Sequence, residues 1–467
     1  MIKKAAASVI LGIFFSVNAL PCLAIEEKQK IETKSNKKYE YKVKKSRRFD
    51  DKYKYEYINM DWWKSFNDEY LESYIIKAVQ HNHDLKAASI AVDEYYQYTR
   101  IQFGNELPTI GVGFSPALIK NIGSRKGEWS FMTPALVNYE ADIFLKNHDK
   151  TKSSKKDYEA SMQDERAAYI AIASAVAATY FNIVKLDEMI KYQEKIVDLR
   201  KVIYDLMKLC NEAGTVSMSD TVKANKSYVY GKTELPILMK NRSKLLHELA
   251  VLIGETPDNV ENLERKELSE ITFPENIPTE LSSDIITNRP DYIKSEKMIE
   301  KAGIDIRVAK KEFLPTINLS GLAVFTASDM SRIFNTEQAL AALAGGLLLP
   351  VFTGGKRLAN LRLQKSKYDR MLESYFKTNQ IAVKEVNDAL VVLKQDRIKL
   401  QQNLEQENLE NADFKYTQNR YNNGIISKRD LYQMEENLLS VKKLVVSDKA
   451  DCYIDVIGLY KAVSAKI

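Results

Sequence analysis

The sequence predicts a mainly helical protein with a small β part, in which very long coiled-coil hairpins are joined to short strands. Three observations indicate this fold. Residues 150–213 and 356–423 contain no proline, so each can form one uninterrupted helix. Segments before these stretches alternate apolar and polar residues, the period-two pattern of a strand with one apolar face. The same order of segments then occurs a second time.

The second occurrence lies a little over 200 residues after the first. The Leu107-Pro108 pair returns as Leu314-Pro315, and the turn at Gly214 returns at Gly424. Between these two landmarks the offset grows only from 207 to 210 residues. So long a period indicates the duplication of a large unit and excludes the short repeats of a solenoid.

The first 24 residues are predicted to be a secretory signal. Two lysines precede an apolar core, and Cys22-Leu23-Ala24 forms a small-residue cleavage site. The alternative is a lipoprotein signal with a lipidated Cys22, although Pro21 matches that pattern poorly. Residues 25–60 hold 12 Lys/Arg against 7 Asp/Glu, a net charge of +5. In an exported protein we interpret this segment as a basic flexible leader and not as a nucleic-acid-binding element.

Residues 61–255 form the first predicted repeat. Its expected elements are, in order, a helix from about Asp68 to Phe103, strands at 108–120 and 128–144, and a long helical hairpin at 149–254 with its tip at residue 214. Glycine suits the tip because it takes the left-handed conformation that commonly ends a helix. Residues 256–284 contain three prolines and are predicted to be a connector.

Residues 285–467 form the second predicted repeat. Its expected elements are a helix, strands at 315–327 and 338–352, and a hairpin at 355–463 with its tip at residue 424. Apolar residues recur every seven positions at Val386, Leu393 and Leu400, which is the spacing of a coiled-coil seam. The segment 338–352 is apolar on both faces, so the same residues could also form a buried helical turn.

Any membrane role is expected to fall to the strands. After the signal, no apolar run is expected to be long enough to cross a bilayer as a helix. Four strands with open edges cannot span a membrane alone, because every backbone polar group in hydrocarbon needs a partner. Three copies would supply twelve strands, close the sheet into a barrel and bring the long helices around the same axis. The sequence alone does not determine the number of copies.

The residues resemble those of the TolC-like outer-membrane efflux proteins from Trp62 to about Ala465. The matching motifs are Trp62-Trp63 with Phe66 and Leu71, Asn82 with Asp84-Leu85, Leu107-Pro108, Asp142-Ile143-Phe144, Leu252-Ile253-Gly254 with Pro257, Asn288-Arg289-Pro290-Asp291, Leu314-Pro315, Leu349-Pro350-Val351-Phe352 with Gly354-Gly355, and Tyr421 with Gly424. Each motif is weak alone, but together and in order they are specific. One departure is Leu145, where the family usually has glycine.

The resemblance implies a passive homotrimeric duct in the outer membrane of a Gram-negative bacterium, extending into the periplasm. Such a duct is in contact with lipid and docks to a periplasmic adaptor and an inner-membrane pump of the RND, ABC or MFS type. It serves tripartite efflux or type I secretion and binds no nucleic acid. The alternative is a soluble periplasmic coiled-coil adaptor or scaffold, whose strands would belong to a small globular domain.

Both hairpin tips carry the Ser-x-x-Asp pattern of a capping box. Ser217 and Ser427 are the expected helix caps, with Asp220 and Asp430 three residues later. The resemblance implies that these tips also form the periplasmic entrance. The expected entrance residues are Asp430, Asp220 and the position of a second carboxylate, occupied here by Gln433. The expected adaptor-docking residues are Gly214, Thr215, Val216, Gly424, Ile425 and Ile426.

The sequence contains no recognisable catalytic constellation, so we expect neither enzyme activity nor a bound cofactor or metal. His81 and His83 are two residues apart and do not share a helix face. His247-Glu248 lacks the second histidine of a zinc-binding helix.

Overall fold

A computed structural model describes residues 61–119, 127–274, 277, 283–334 and 339–464. The predicted signal and basic leader lie outside the described residues. A 3₁₀ turn at Trp62–Phe66 comes first, and two helices follow. These are α1 (Glu69–His81) and α2 (His83–Gly104).

The single helix predicted from Asp68 to Phe103 is therefore wrong in one respect, because it is interrupted at Asn82. The Asn82 side chain accepts a hydrogen bond from the backbone N–H of Leu85 at 3.0 Å, which caps α2. Its amide also donates to the Leu252 carbonyl at 2.9 Å. This residue thus ends one helix, starts the next and binds them to a distant part of the chain.

Four long helices form two antiparallel hairpins. The first hairpin consists of α3 (Lys146–Glu212) and α4 (Met218–Leu252). After α5 (Pro290–Lys311), the second consists of α6 (Lys356–Asn422) and α7 (Lys428–Val463). Helices α3 and α6 have 67 residues each, and at 1.5 Å per residue both are about 100 Å long.

The strands form one antiparallel sheet between the short and the long helices. Its members are β1 (Thr109–Val112), β2 (Ser115–Ile119), β3 (Glu128–Ala141), β4 (Thr316–Ala327) and β5 (Ala339–Leu348). Both β1 and β2 pair with β3, which pairs with β4, which pairs with β5. Since β3 and β5 lead directly into the long helices, the sheet lies at the end of the bundle opposite the hairpin tips.

The strand predicted over 108–120 is divided in two at Gly113. Val112 pairs with Ala135 and Ser115 pairs with Met132, so the register is the same on both sides of the break. Opposite the break lies Pro134, which has no N–H to donate to the ladder. The segment predicted over 338–352 is a strand that ends at Leu348, so the alternative of a buried helical turn is wrong.

The apolar core lies midway along the bundle and centres on α3. Residues 167–184 contain no charged side chain, and α3 is long and apolar enough to cross a membrane by length and composition alone. The expectation that no such segment follows the signal is therefore wrong. Here 67% of the apolar window is buried inside the protein, where Phe181 packs against Tyr453 of α7 and against Phe66.

Candidate functional site: the hairpin tips

The two hairpins turn in the same way. At the first tip the N–H of Gly214 donates to the Asn211 carbonyl and that of Thr215 to the Cys210 carbonyl, both at 2.9 Å. At the second tip the N–H groups of Gly424 and Ile425 make the equivalent bonds, also at 2.9 Å. Both glycines have φ of +72°, a left-handed conformation that glycine adopts without steric cost.

The serine after each turn begins the returning helix. Ser217 Oγ accepts from the N–H of Asp220 at 3.2 Å, and Ser427 Oγ accepts from that of Asp430 at 3.3 Å. At the second tip the Asp430 carboxylate also accepts from the backbone N–H of Ser427 at 3.3 Å, which completes the reciprocal box. In each aspartate one oxygen, Oδ2, accepts a hydrogen bond from the hydroxyl of the capping serine at 2.7 Å.

The remaining oxygen distinguishes the two aspartates. Asp220 Oδ1 lies 3.3 Å from Lys223 Nζ, and the Ser217 hydrogen bond together with this lysine lowers the pKa of Asp220. Asp430 has no cation within ion-pair distance in the described part of the chain. Its own neighbour Lys428 instead lies over the Tyr432 ring, 5.4 Å from the centroid. The exposed Asp430 carboxylate can therefore bind an external cation, whereas the Asp220 carboxylate is already paired with Lys223.

An ion pair and a hydrogen bond join the two hairpins near their tips. Arg200 of α3 lies 14 residues before Gly214, and Glu436 of α7 lies 12 residues after Gly424. Their side chains meet at 2.7 Å, and Glu436 is buried. Two turns further up, Lys443 of α7 donates a hydrogen bond to the Gln193 side chain of α3 at 2.9 Å. The sequence-predicted tip residues therefore lie together at one end of the bundle.

The apolar tip residues differ in exposure. Ile425 is 63% exposed and Thr215 is also exposed, whereas Val216 and Ile426 are half-buried. Of the expected docking residues in these two pairs, the first of each pair therefore projects into solvent and the second is partly covered. Gln433 is exposed, and its amide lies 3.4 Å from Asn437.

Three charged residues that interact at or near the tips were not predicted, because they lie outside the Ser-x-x-Asp motifs. Lys223, which pairs with Asp220, follows it on the next helical turn, so the i,i+3 spacing could have revealed it. Arg200 and Glu436 are far apart in sequence, and only the packing of α3 on α7 brings them together. Among the described residues, no three His, Cys, Asp or Glu side chains are grouped as a metal ion would require.

An open-edged apolar sheet at one end of two 100 Å hairpins, with two exposed turns at the other, defines the class of outer-membrane exit ducts. The chain belongs to the outer membrane efflux protein family, whose model matches residues 75–255 and 281–465. It is the outer-membrane exit duct of a tripartite efflux system and extends into the periplasm. Membership of this family excludes the alternative function of a soluble periplasmic adaptor or scaffold.

Known relatives cover nearly the whole described chain. The probable efflux pump outer membrane protein TtgC of Pseudomonas putida is 26% identical over 86% of this chain and 84% of its own length. The cation efflux system protein CusC of Escherichia coli is 24% identical over 87% of this chain and 89% of its own. Among solved structures, the Campylobacter jejuni CmeC outer membrane channel has a TM-score of 0.79 and 24% identity over 87% and 88% of the two chains. The open state of the Neisseria gonorrhoeae MtrE channel has a TM-score of 0.76 and 22% identity over 85% and 90%.

Proposed function

We propose that three copies of the chain form one duct, with a β-barrel in the outer membrane and a helical tube in the periplasm. The open sheet carries this proposal. In the described residues, β1/β2 and β5 are its two edges, and all ten residues of β5 are exposed. An unpaired backbone group in hydrocarbon costs several kcal/mol, so each edge needs a strand from another copy.

Helix α6 supports the same arrangement on the aqueous side. Only four of its 67 residues are buried within the single chain. Val386 and Leu393 of the predicted seam are among them, whereas Val391, Ile398 and Leu409, which share another face of the helix, are exposed. A helix that leaves a second apolar stripe uncovered is suited to packing against a neighbouring hairpin.

The purified protein is expected to have the mass of three chains in mild detergent. Three copies supply twelve strands when β1 and β2 count as one, which is enough to close a barrel. Native mass spectrometry of protein released from the membrane measures the number of copies. A chain that stays monomeric in native-like lipid, or that leaves the envelope without detergent, would contradict the proposal.

We further propose that the tips dock to a periplasmic adaptor, which connects the duct to an inner-membrane pump of the RND, ABC or MFS type. Relatives named as outer membrane proteins of efflux pumps support this arrangement. Their names mention toluene, solvents, antibiotics and cations. Those names are too varied to assign one cargo to this protein.

Replacing Ile425 by arginine is expected to reduce export at least tenfold while the protein remains assembled in the outer membrane. Ile425 is the most exposed apolar residue of the second tip, and a buried unpaired charge at an interface costs several kcal/mol. Export of a pump substrate from cells and crosslinking to the adaptor measure the effect. Ile425→Leu is the matched control and should retain export. Normal export by Ile425→Arg would refute the docking assignment.

Replacing Asp430 by asparagine is expected to weaken block of the duct by divalent cations roughly fivefold to tenfold in planar bilayers. The amide oxygen can still accept the Ser427 hydrogen bonds, so the change removes charge and keeps the cap. Asp220→Asn is the matched control and should change block less, because Lys223 already neutralises Asp220. Gln433 contributes no carboxylate, so the entrance has one acidic ring. Unchanged block in Asp430→Asn would exclude that ring.

A further inference from the structure

Among the described residues the sheet has two free edges, β1/β2 and β5. The N–H of Gly113 donates to the Pro134 carbonyl at 2.8 Å, so odd-numbered residues of the first edge direct their backbone groups inward to β3. Successive residues alternate in this respect, so even-numbered residues such as Ile110 and Val112 direct theirs outward. The same alternation, followed through β3 and β4, leaves the odd-numbered residues of β5 directed outward. Hydrogen-bonded pairs between copies must therefore join an even residue of one edge to an odd residue of the other.

The two halves of the sheet are paired in the same way. In the first half Thr109 pairs with Asn138, and in the second Thr316 pairs with Leu348. Strand β4 thus takes the place of β1 at an offset of 207 residues, and β5 takes the place of β3 at an offset of 210. The helices that follow, α3 and α6, also begin 210 residues apart. The pairing of β3 with β4, which joins the two halves within the chain, therefore predicts how β5 pairs with β1 of another copy.

We propose that β5 of one copy pairs with β1 and β2 of the next copy in the register that β3 has with β4. This inference rests on the proposed three-copy duct and specifies the contact that closes its barrel. Strand β5 runs towards the helices and β1 runs away from them, so this pairing is antiparallel, like that of β3 with β4. Within the chain, Ala141 pairs with Ile317. Applying the two offsets places Val351 opposite Ile110 of the next copy, which joins an odd residue to an even one.

The stagger of the strands makes the same demand. Thr109 lies level with Ser320, across Asn138, and Ser320 is four residues beyond Thr316, the counterpart of Thr109. Strands of a closed barrel share one tilt, and their stagger is fixed with it. The junction between copies therefore needs the same displacement of four residues. The proposed register gives four residues, whereas a slip of two residues in either direction would give about two or about six.

The proposed register also covers apolar residues that the single chain leaves exposed. Leu347 lies opposite Phe114 of the next copy, and Val351 lies opposite Ile110. Val351 is 89% exposed in the single chain and follows the last residue of β5, Leu348, by three positions. Pairing between copies thus lengthens β5 towards the helices. Each of these two cross-strand pairs is apolar on both sides, and such pairs stabilise a sheet.

The test is disulfide crosslinking of the full-length protein in its native membrane. The register places Gly346 opposite Ser115 and Ala344 opposite Ala117 of the next copy. Neither pair exchanges ladder hydrogen bonds, so its Cα atoms lie about 4.5 Å apart, within the span of about 4.4–6.8 Å that a disulfide bridges. Gly346→Cys combined with Ser115→Cys should give covalent dimers and trimers on mild oxidation. Ala344→Cys combined with Ala117→Cys should do the same and is an independent second variant.

The same four replacements provide the matched controls. Gly346→Cys with Ala117→Cys, and Ala344→Cys with Ser115→Cys, join positions displaced by two residues, about 7–8 Å apart, which is too far for a disulfide. They should give about tenfold less covalent trimer, and single cysteine variants, which keep the natural cysteines, should give none. Crosslinks confined to the displaced pairs, or absent from all four in protein that native mass spectrometry shows to be trimeric, would overturn the register. A chain that stays monomeric in native-like lipid would instead refute the duct itself.

Discussion

Replacing Gly254 by alanine is expected to destabilise the protein by about 3 kcal/mol. Gly254 follows α4 with φ of +76°, a conformation that costs an L-residue about 1–2 kcal/mol. A Cβ here would also lie 2.6 Å from the His81 carbonyl oxygen. That backbone cannot retreat easily, because Asn82 next to it is bound to the Leu252 carbonyl at 2.9 Å. Forced overpacking of this kind adds about 1–3 kcal/mol.

The measurement is the midpoint of thermal unfolding, followed by circular dichroism of the detergent-solubilised protein. Gly214→Ala is the matched control: its φ of +72° is nearly the same, but no atom beyond its two chain neighbours lies within 4 Å of the added Cβ. We expect it to lose only the conformational part, about 1–2 kcal/mol. Equal shifts in the two variants would show that the contact with His81 contributes nothing.

The long helices and their tips could be predicted because their signals are local. Absence of proline permits α3 and α6, and a glycine followed by Ser-x-x-Asp specifies each turn within eight residues. The sheet was predicted nearly as well, because alternation along β4 is also local. The duplication stays a prediction, and the three-fold assembly and the roles of the tips are proposals that depend on contacts with other chains.

The remaining features depend on contacts between distant segments. The break at Asn82 reflects a bond to Leu252, 170 residues away. The interruption of the first strand reflects Pro134 on the neighbouring strand. The apolar stretch 167–184 is hard to recognise in the sequence because Ser174, Thr179 and Asn182 interrupt it, yet the packed core accommodates these small polar groups. The residue pattern within one segment cannot predict which distant segment will contact it.

Replacing Asp68 by alanine, as a separate single variant, is expected to lower the free energy of unfolding by about 3 kcal/mol. Asp68 is 3% exposed, and one carboxylate oxygen caps α1 by accepting from the N–H groups of Tyr70 and Leu71 at 3.0 and 3.2 Å. The other accepts from the Tyr180 hydroxyl at 2.6 Å. Losing a cap costs about 1 kcal/mol, and leaving a buried hydroxyl without its acceptor costs about 1–3 kcal/mol more.

A set of four variants separates these two contributions to the thermal midpoint. Ser217→Ala removes an exposed helix cap and should cost only the capping contribution, about 1 kcal/mol. Asp68→Asn keeps a side-chain oxygen that can accept a hydrogen bond, so its thermal midpoint should lie between those of Asp68→Ala and the unmodified protein. Tyr180→Phe added to Asp68→Ala should cost little more, because it removes the hydroxyl that the first change left unpaired. Additive losses in that double variant would mean that Asp68 and Tyr180 act independently and would contradict the assigned hydrogen bond.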